Sequence, residues 1–196
     1  MLYRVFRGID GADLHARGGP LYVPRERQGA GRHDSPGRYG AFYAARTAEG
    51  ATAEAIQAFR GRGLTDEDLI NVDGSGLSLA TIDDAGLEDV VDLDEPAVLV
   101  EQGWRPSAVA SRVRVTTQAM AAHLFDEGAR GLSWWSTLDA AWTNVTLFAE
   151  RTIAGGEIVV EAVERLDTKQ ATVVAAADHL SISLEVQRPR SPSQRR

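Results

Sequence analysis

Four residues in the first third of the chain have types that can do chemistry together: Arg4, Arg32, Tyr43 and Glu54. They amount to two permanent cations, a phenol and one carboxylate, with no good nucleophile beside them. A guanidinium presents a planar donor fork that matches phosphate or pyrophosphate. A carboxylate placed beside a developing cation stabilises it electrostatically. The set therefore suits rupture of a bond whose departing group is already good, leaving a sugar cation of oxocarbenium character. Glycoside cleavage follows the same charge logic with two carboxylates. The chain has no cysteine, hence no thiol nucleophile, disulfide or thiolate metal site. Its histidines, His15, His33, His123 and His179, lack metal-ligand spacing, and no metal is expected.

Each of the four residues needs an element to hold it. Leu2 to Phe6 alternates weakly and predicts a first strand carrying Arg4. Asp10 to Gly40 is rich in Gly, Pro and Arg, and a loop of that length is usually functional or disordered. Arg25, Arg27, Arg32 and Arg38 make it locally basic, as an anionic small ligand requires. Arg32 also has a plainer role open to it, a surface pair with Asp34. Ala41 to Ala45 predicts a short strand, with Tyr43 on the face opposite Phe42 and Ala44. Thr47 then caps a helix running to about Phe59, stopped by Gly61-Arg62-Gly63. Ala51, Ala55, Ala58 and Phe59 share a stripe at the helical period, and Glu54 falls within roughly 60° of its centre. A carboxylate bordering a buried face is costly unless it is paired or put to use.

Downstream, Leu77 to Ile82 alternates as a strand, and Val90-Val91 is an apolar kernel within the acidic run Asp83 to Glu95. Pro96 to Gly103 has the proline-first, glycine-last signature of a helix. Val115 to Glu127 predicts another, capped by Thr116 or Thr117, with Met120, Ala121 and Leu124 inward and Gly128 closing it. Gly131 to Ser136 and Asn144 to Phe148 predict strands. Glu157 to Val163 and Thr172 to Leu184 fit sheet edges or a last helix equally well. Helices and strands are mixed rather than regularly alternated, which predicts an α+β fold in a single domain over residues 1–186. The tail 187–196 holds Arg188, Arg190, Arg195 and Arg196 without an acid and is expected to be disordered. Net charge is −7, so the body preceding that tail is more acidic still, which argues against a general nucleic-acid surface. No apolar leader opens the chain and no segment is long enough to span a bilayer, so a cytoplasmic location without membrane association is expected.

Tyr3-Arg4, Gly31-Arg32, Tyr43 and Glu54, in this order and spacing, resemble the RES-domain family. A second block, Gly131-Leu132-Ser133-Trp134-Trp135-Ser136 followed by Asn144 and Leu147-Phe148, resembles its later motif. The resemblance covers residues 2 to 165 and implies an ADP-ribosyltransferase-like mixed sheet with flanking helices. It further implies an NAD-degrading toxin that cleaves the nicotinamide–ribose N-glycosidic bond, with water or phosphate as acceptor. NAD would then be the substrate, with no prosthetic group, and an Xre-type antitoxin the cognate partner. Arg4 and Arg32 would hold the pyrophosphate, Tyr43 would lie against the nicotinamide or its ribose, and Glu54 would face the ribose. Ser136 and Asn144 are carried over as further polar site residues. Thr117-Gln118 occupies the place where the family sets a hydroxyl residue before Gln at a helix start. After Gly-Arg the family has an aromatic and Asn, whereas this chain has His33 and Asp34. The alternative is a non-toxic NAD- or nucleotide-binding module that kept the fold without turnover; self-association stays open.

Overall fold

The computed structural model describes residues 1–185; the expected disordered tail, 187–196, lies outside them. Seven strands form one sheet: β1 (Leu2–Gly8), β2 (Ala41–Ala45), β3 (Gly76–Asp83), β4 (Val90–Asp92), β5 (Gly131–Trp135), β6 (Thr143–Phe148) and β7 (Val159–Arg165). Their order is β4-β5-β6-β2-β1-β3-β7. The β4–β5 pair is parallel and every other neighbouring pair is antiparallel. Glu157 to Val163 thus contributes an edge strand. Thr172 to Leu184 instead supplies a helix, α6 (Ala171–His179). The other helices are α1 (Ala48–Ile56), α2 (Pro96–Glu101), α3 (Pro106–Val109), α4 (Arg114–Asp126) and α5 (Ala149–Thr152). The architecture is the expected α+β class.

Alternation along the strands divides the core into three clusters. On one face, Phe42 and Ala44 of β2 pack with Leu2, Phe6, Ala80, Ile82, Val145 and Leu147. The opposite face carries two clusters rather than one. Toward β3, α1 and α6 bury Ala53, Ile56, Val173, Ala176 and Ala177 with Leu77, Leu79 and Ala45. Toward β5, Leu99 of α2 and Met120, Ala121 and Leu124 of α4 cover Leu132, Trp134 and Phe148. Tyr43 and Asn144 belong to that same face, by the two-residue period, near where the two helical covers meet.

The sheet is not evenly laced. β1 and β3 are in register at seven positions and β2 and β6 at five, but β1 and β2 meet at one, Tyr3 with Ala45. The two central strands splay apart beyond that pair.

Helix α1 begins as the sequence predicts, with the Thr47 hydroxyl accepting from the Gly50 amide at 3.1 Å. Gly50 lies where Trp142 approaches closely; a Cβ there would meet the indole Cγ at 3.3 Å. The buried stripe differs from the expected one. Gly50, Ala51, Thr52, Ala53 and Ile56 are inside, Ala55 is half-buried and Ala58 is exposed, because the α-helix gives way to a 3₁₀ turn at Gln57–Phe59. That change of period ends the stripe one turn early. Glu54 stands at its border, half-buried.

Ile56 is fully buried where α1 joins the α6 cluster. Ile56→Ala is expected to cost about 2–5 kcal/mol, read as a lower denaturant midpoint with an unchanged slope.

Candidate active site

The opening between β1 and β2 is a cleft of about 380 Å³. Tyr3, Arg4 and Val5 line it from β1, Tyr43 to Ala45 from β2, and Glu54 from α1. Arg32, Arg114, Trp134 and Asn144 complete its wall. Arg4, Arg32, Tyr43 and Glu54 thus all border one cleft, with the Arg4 side chain leaving β1 on the Phe42 face, opposite Tyr43.

Glu54 is fixed by three donors. Its Oε1 accepts from the Ser136 hydroxyl at 2.8 Å and from Asn144 Nδ2 at 2.9 Å. Its Oε2 accepts from Gln57 Nε2 at 2.9 Å. Asn144 reaches it from β6, and Ser136 from the residue after β5, where the Ser136 amide bonds the Trp142 carbonyl. Both residues carried over on resemblance thus touch the carboxylate, from 82 and 90 residues away in sequence.

Arg4 projects from β1 over the Phe42 ring, its Cζ 4.1 Å from the ring centre. Its Nη2 donates to the Tyr22 carbonyl at 2.9 Å, while Nη1 is buried with no partner among the described residues. Burial lowers its pKa to about 10, which still leaves it charged at neutral pH. Arg32 donates through Nη1 to the carbonyls of Val109 and Ser111, both at 2.9 Å, at the end of α3. Burial, then repulsion from Arg114, lowers its pKa.

Two other arginines of the basic loop are used elsewhere. Arg25 pairs with Glu150 at 2.9 Å and Arg38 pairs with Asp126. Arg32 does not pair with Asp34. Asp34 is almost wholly buried, and its Oδ2 accepts the Gly29 and Gly31 amides at 2.7 and 2.6 Å. Its Oδ1 accepts the Tyr43 hydroxyl at 2.7 Å. Its charge is thus spent on three donors of its own loop and strand. Gly31 must be glycine, since a Cβ there would meet Asp34 Oδ1 at 2.5 Å and the Tyr43 hydroxyl at 2.6 Å.

The Tyr43 hydroxyl also accepts the His33 amide at 2.9 Å. Burial and the bond to Asp34 raise its pKa well above the ordinary phenol value, so it stays neutral. Its hydroxyl is occupied by the loop, which leaves the ring as the part offered to the cleft. Thr117 and Gln118 do not line the cleft. Thr117 Oγ1 donates to the Arg32 carbonyl at 2.6 Å, and Gln118 Nε2 donates to the carbonyls of Gly29 and Gly31 at 3.0 and 2.9 Å. They hold the loop that carries Arg32. Helix α4 begins at Arg114 after Val113, so neither threonine is its N-cap. Arg114 is the cleft residue that sequence reasoning missed. Its signal was an arginine in a first helical turn, where the macrodipole disfavours a cation.

Among the described residues no group of three or more His, Asp or Glu side chains is placed to hold a metal, and no helix is long and apolar enough to cross a membrane.

His33 lies beneath this loop, 2% exposed, with Nδ1 2.9 Å from Thr146 Oγ1 and its ring edge-on to Trp134 at 4.4 Å. Burial, then the charges of Arg32 and Arg114, press its pKa well below 6.5. The unfolded chain therefore binds this proton more readily than the folded one. Stability from this group is complete above pH ~6.5 and falls with acidification at up to about 1.4 kcal/mol per pH unit. His33→Asn is expected to flatten the decline in unfolding free energy between about pH 6.5 and 5, measured by denaturant titration at each pH.

The RES domain model matches residues 1–170. No curated protein matches the chain significantly. Among solved structures, the chain is similar to one in the crystal structure of the M. tuberculosis MbcT–MbcA toxin–antitoxin complex. The TM-score is 0.61 at 20% identity, covering 92% of this chain and 87% of that one. The sheet and its helices accordingly share the fold of that chain. With the model spanning most of its length and the two motif blocks meeting in one cleft, the chain belongs to the RES domain family.

Proposed function

We propose that the chain cleaves the bond between nicotinamide and ribose in NAD, and that it does so as the toxin of a toxin–antitoxin pair. One observation carries this reading: a single carboxylate, Glu54, is immobilised by Ser136, Asn144 and Gln57 inside a cleft that it shares with Arg4, Arg32 and Arg114. In this chemistry the C1′–N bond breaks with its electron pair passing to the nicotinamide ring nitrogen, which leaves neutral. The ribosyl cation forms beside Glu54, whose fixed negative charge needs no reorganisation at that moment. An acceptor hydroxyl, from water or phosphate, then forms the new C1′–O bond and releases its proton to solvent. The three guanidiniums hold the pyrophosphate, and the Tyr43 ring flanks the nicotinamide end. The toxin role is supported by RES membership together with the likeness to a toxin–antitoxin complex, whose second component suggests a cognate antitoxin for this chain.

Purified protein incubated with NAD should release free nicotinamide, followed by chromatography. Glu54→Gln should reduce that rate by about 10²–10³-fold while leaving the thermal midpoint within a few degrees. The reading is lost if the wild-type protein leaves NAD intact in both phosphate and phosphate-free buffer.

Expression of the wild-type chain alone should deplete cellular NAD and arrest growth, and Glu54→Gln should do neither. NAD turnover in vitro without growth arrest would remove the toxin role and keep the enzyme.

A further inference from the structure

A second cavity, of about 340 Å³, adjoins the cleft and shares Arg4 and Val5 with it as common wall. Nothing in the proposed cleavage uses it. Its lining is strongly cationic for a chain of net charge −7: Arg4, Arg7, Arg17 and Arg27 face it, against one carboxylate, Asp73. Part of that charge is already satisfied. Arg17 pairs with Asp73 at 3.1 Å, and Arg7 Nη1 donates to the Leu69 carbonyl at 2.9 Å. Arg27 lies 3.8 Å from Glu26, a long and exposed contact. Arg4 is different, because its buried Nη1 has no partner among the described residues. A guanidinium withdrawn from water with an idle donor is costly unless an anion completes it.

The rest of the wall is not that of a plain phosphate site. Tyr22, Phe6 and Ile9 offer aromatic and aliphatic surface, and Asn71 and Ser75 offer hydrogen-bonding groups. Aromatic surface stacks any nucleobase, since every base has a π-face. Each cavity alone lies near the lower end of the roughly 300–1,000 Å³ typical of ligand sites, and Arg4 belongs to both.

We infer that the second cavity receives the nucleoside 5′-monophosphate half of a dinucleotide, with Arg4 at the pyrophosphate between the two halves. This rests on the reading of the cleft as an NAD site and assigns the adenylate end to a place of its own. Arg27 then approaches the phosphate side, and the Tyr22 ring flanks the base.

The test uses isothermal titration of the full chain carrying Glu54→Gln, which suppresses NAD turnover, with adenosine monophosphate, nicotinamide mononucleotide and NAD. The variants made in that chain are Arg27→Glu, which reverses a charge, and Asn71→Trp, which fills the cavity. Both side chains are exposed, and a thermal melt checks that each variant is folded. Adenosine monophosphate should bind the Glu54→Gln chain. Each folded variant should weaken it and NAD by at least about tenfold, with nicotinamide mononucleotide changed less than about threefold. The assignment is overturned if adenosine monophosphate does not bind, or if both variants weaken the three ligands equally or none of them. Because binding is read without turnover, adenosine monophosphate binding as described, alongside a wild-type chain that left NAD intact, would sink the proposed reaction and not this site.

Discussion

Everything at the candidate site follows from how little β1 and β2 share. Neighbouring strands in a sheet normally satisfy each other's main-chain groups along their whole length, and central strands most of all. Here one register pair, Tyr3 with Ala45, joins two halves of a sheet that are each well laced internally. The halves are then held by what covers them. On one face Phe42 and Ala44 pack against Leu2 and Phe6 across the parting. On the other face two separate helical layers cover the two halves. The cleft is the seam between those layers, floored by strands that have let go of each other.

Placing charge in that seam required exact accounting of donors and acceptors. Three guanidiniums reach it, and two of them are tied by main-chain carbonyls that cannot move away with a side chain. The loop that supplies Arg32 is pinned from three sides, by Asp34 to its amides, by Gln118 to its carbonyls and by Thr117 to Arg32 itself. A buried carboxylate beside cations would ordinarily compete with an incoming anion. Asp34 instead turns inward and spends its lone pairs on Gly29, Gly31 and Tyr43. Glu54 is the carboxylate left facing the cleft with its position set by side chains of three different elements.

Much of this was legible in residue types. Arg4 on a first strand, Tyr43 facing away from Phe42, and Glu54 at the border of a buried helical face all follow from the periods of two and 3.6 residues. Ser136 and Asn144 came through family resemblance, and no periodicity argument would have reached them. What escaped was governed by contacts between distant segments. Thr117 has the residue type of a helix cap, yet its hydroxyl is taken by the Arg32 carbonyl, 85 residues away in sequence. Asp34 has the look of a surface ion-pair partner, and only the fold reveals that two glycine amides converge on it. Arg114 stands against the helix dipole, a local conflict of the kind that often marks function. The second cavity brings Tyr22, Arg27 and Asn71 to the edge of β1, and no motif connects them.

The helix α6 has a meaning of its own. The family match stops at residue 170, and α6 begins at Ala171. Val173, Ala176 and Ala177 are nevertheless in the same buried cluster as Ala53 and Ile56, on the helix that presents Glu54. Further on, Leu64 bridges Leu184, with the Glu185 amide bonded to the Leu64 carbonyl. The border of a sequence family and the border of a cooperative folding unit therefore fall in different places. A fragment trimmed at the former would keep every side chain of the cleft and strip the backing from the one helix that aims its acid.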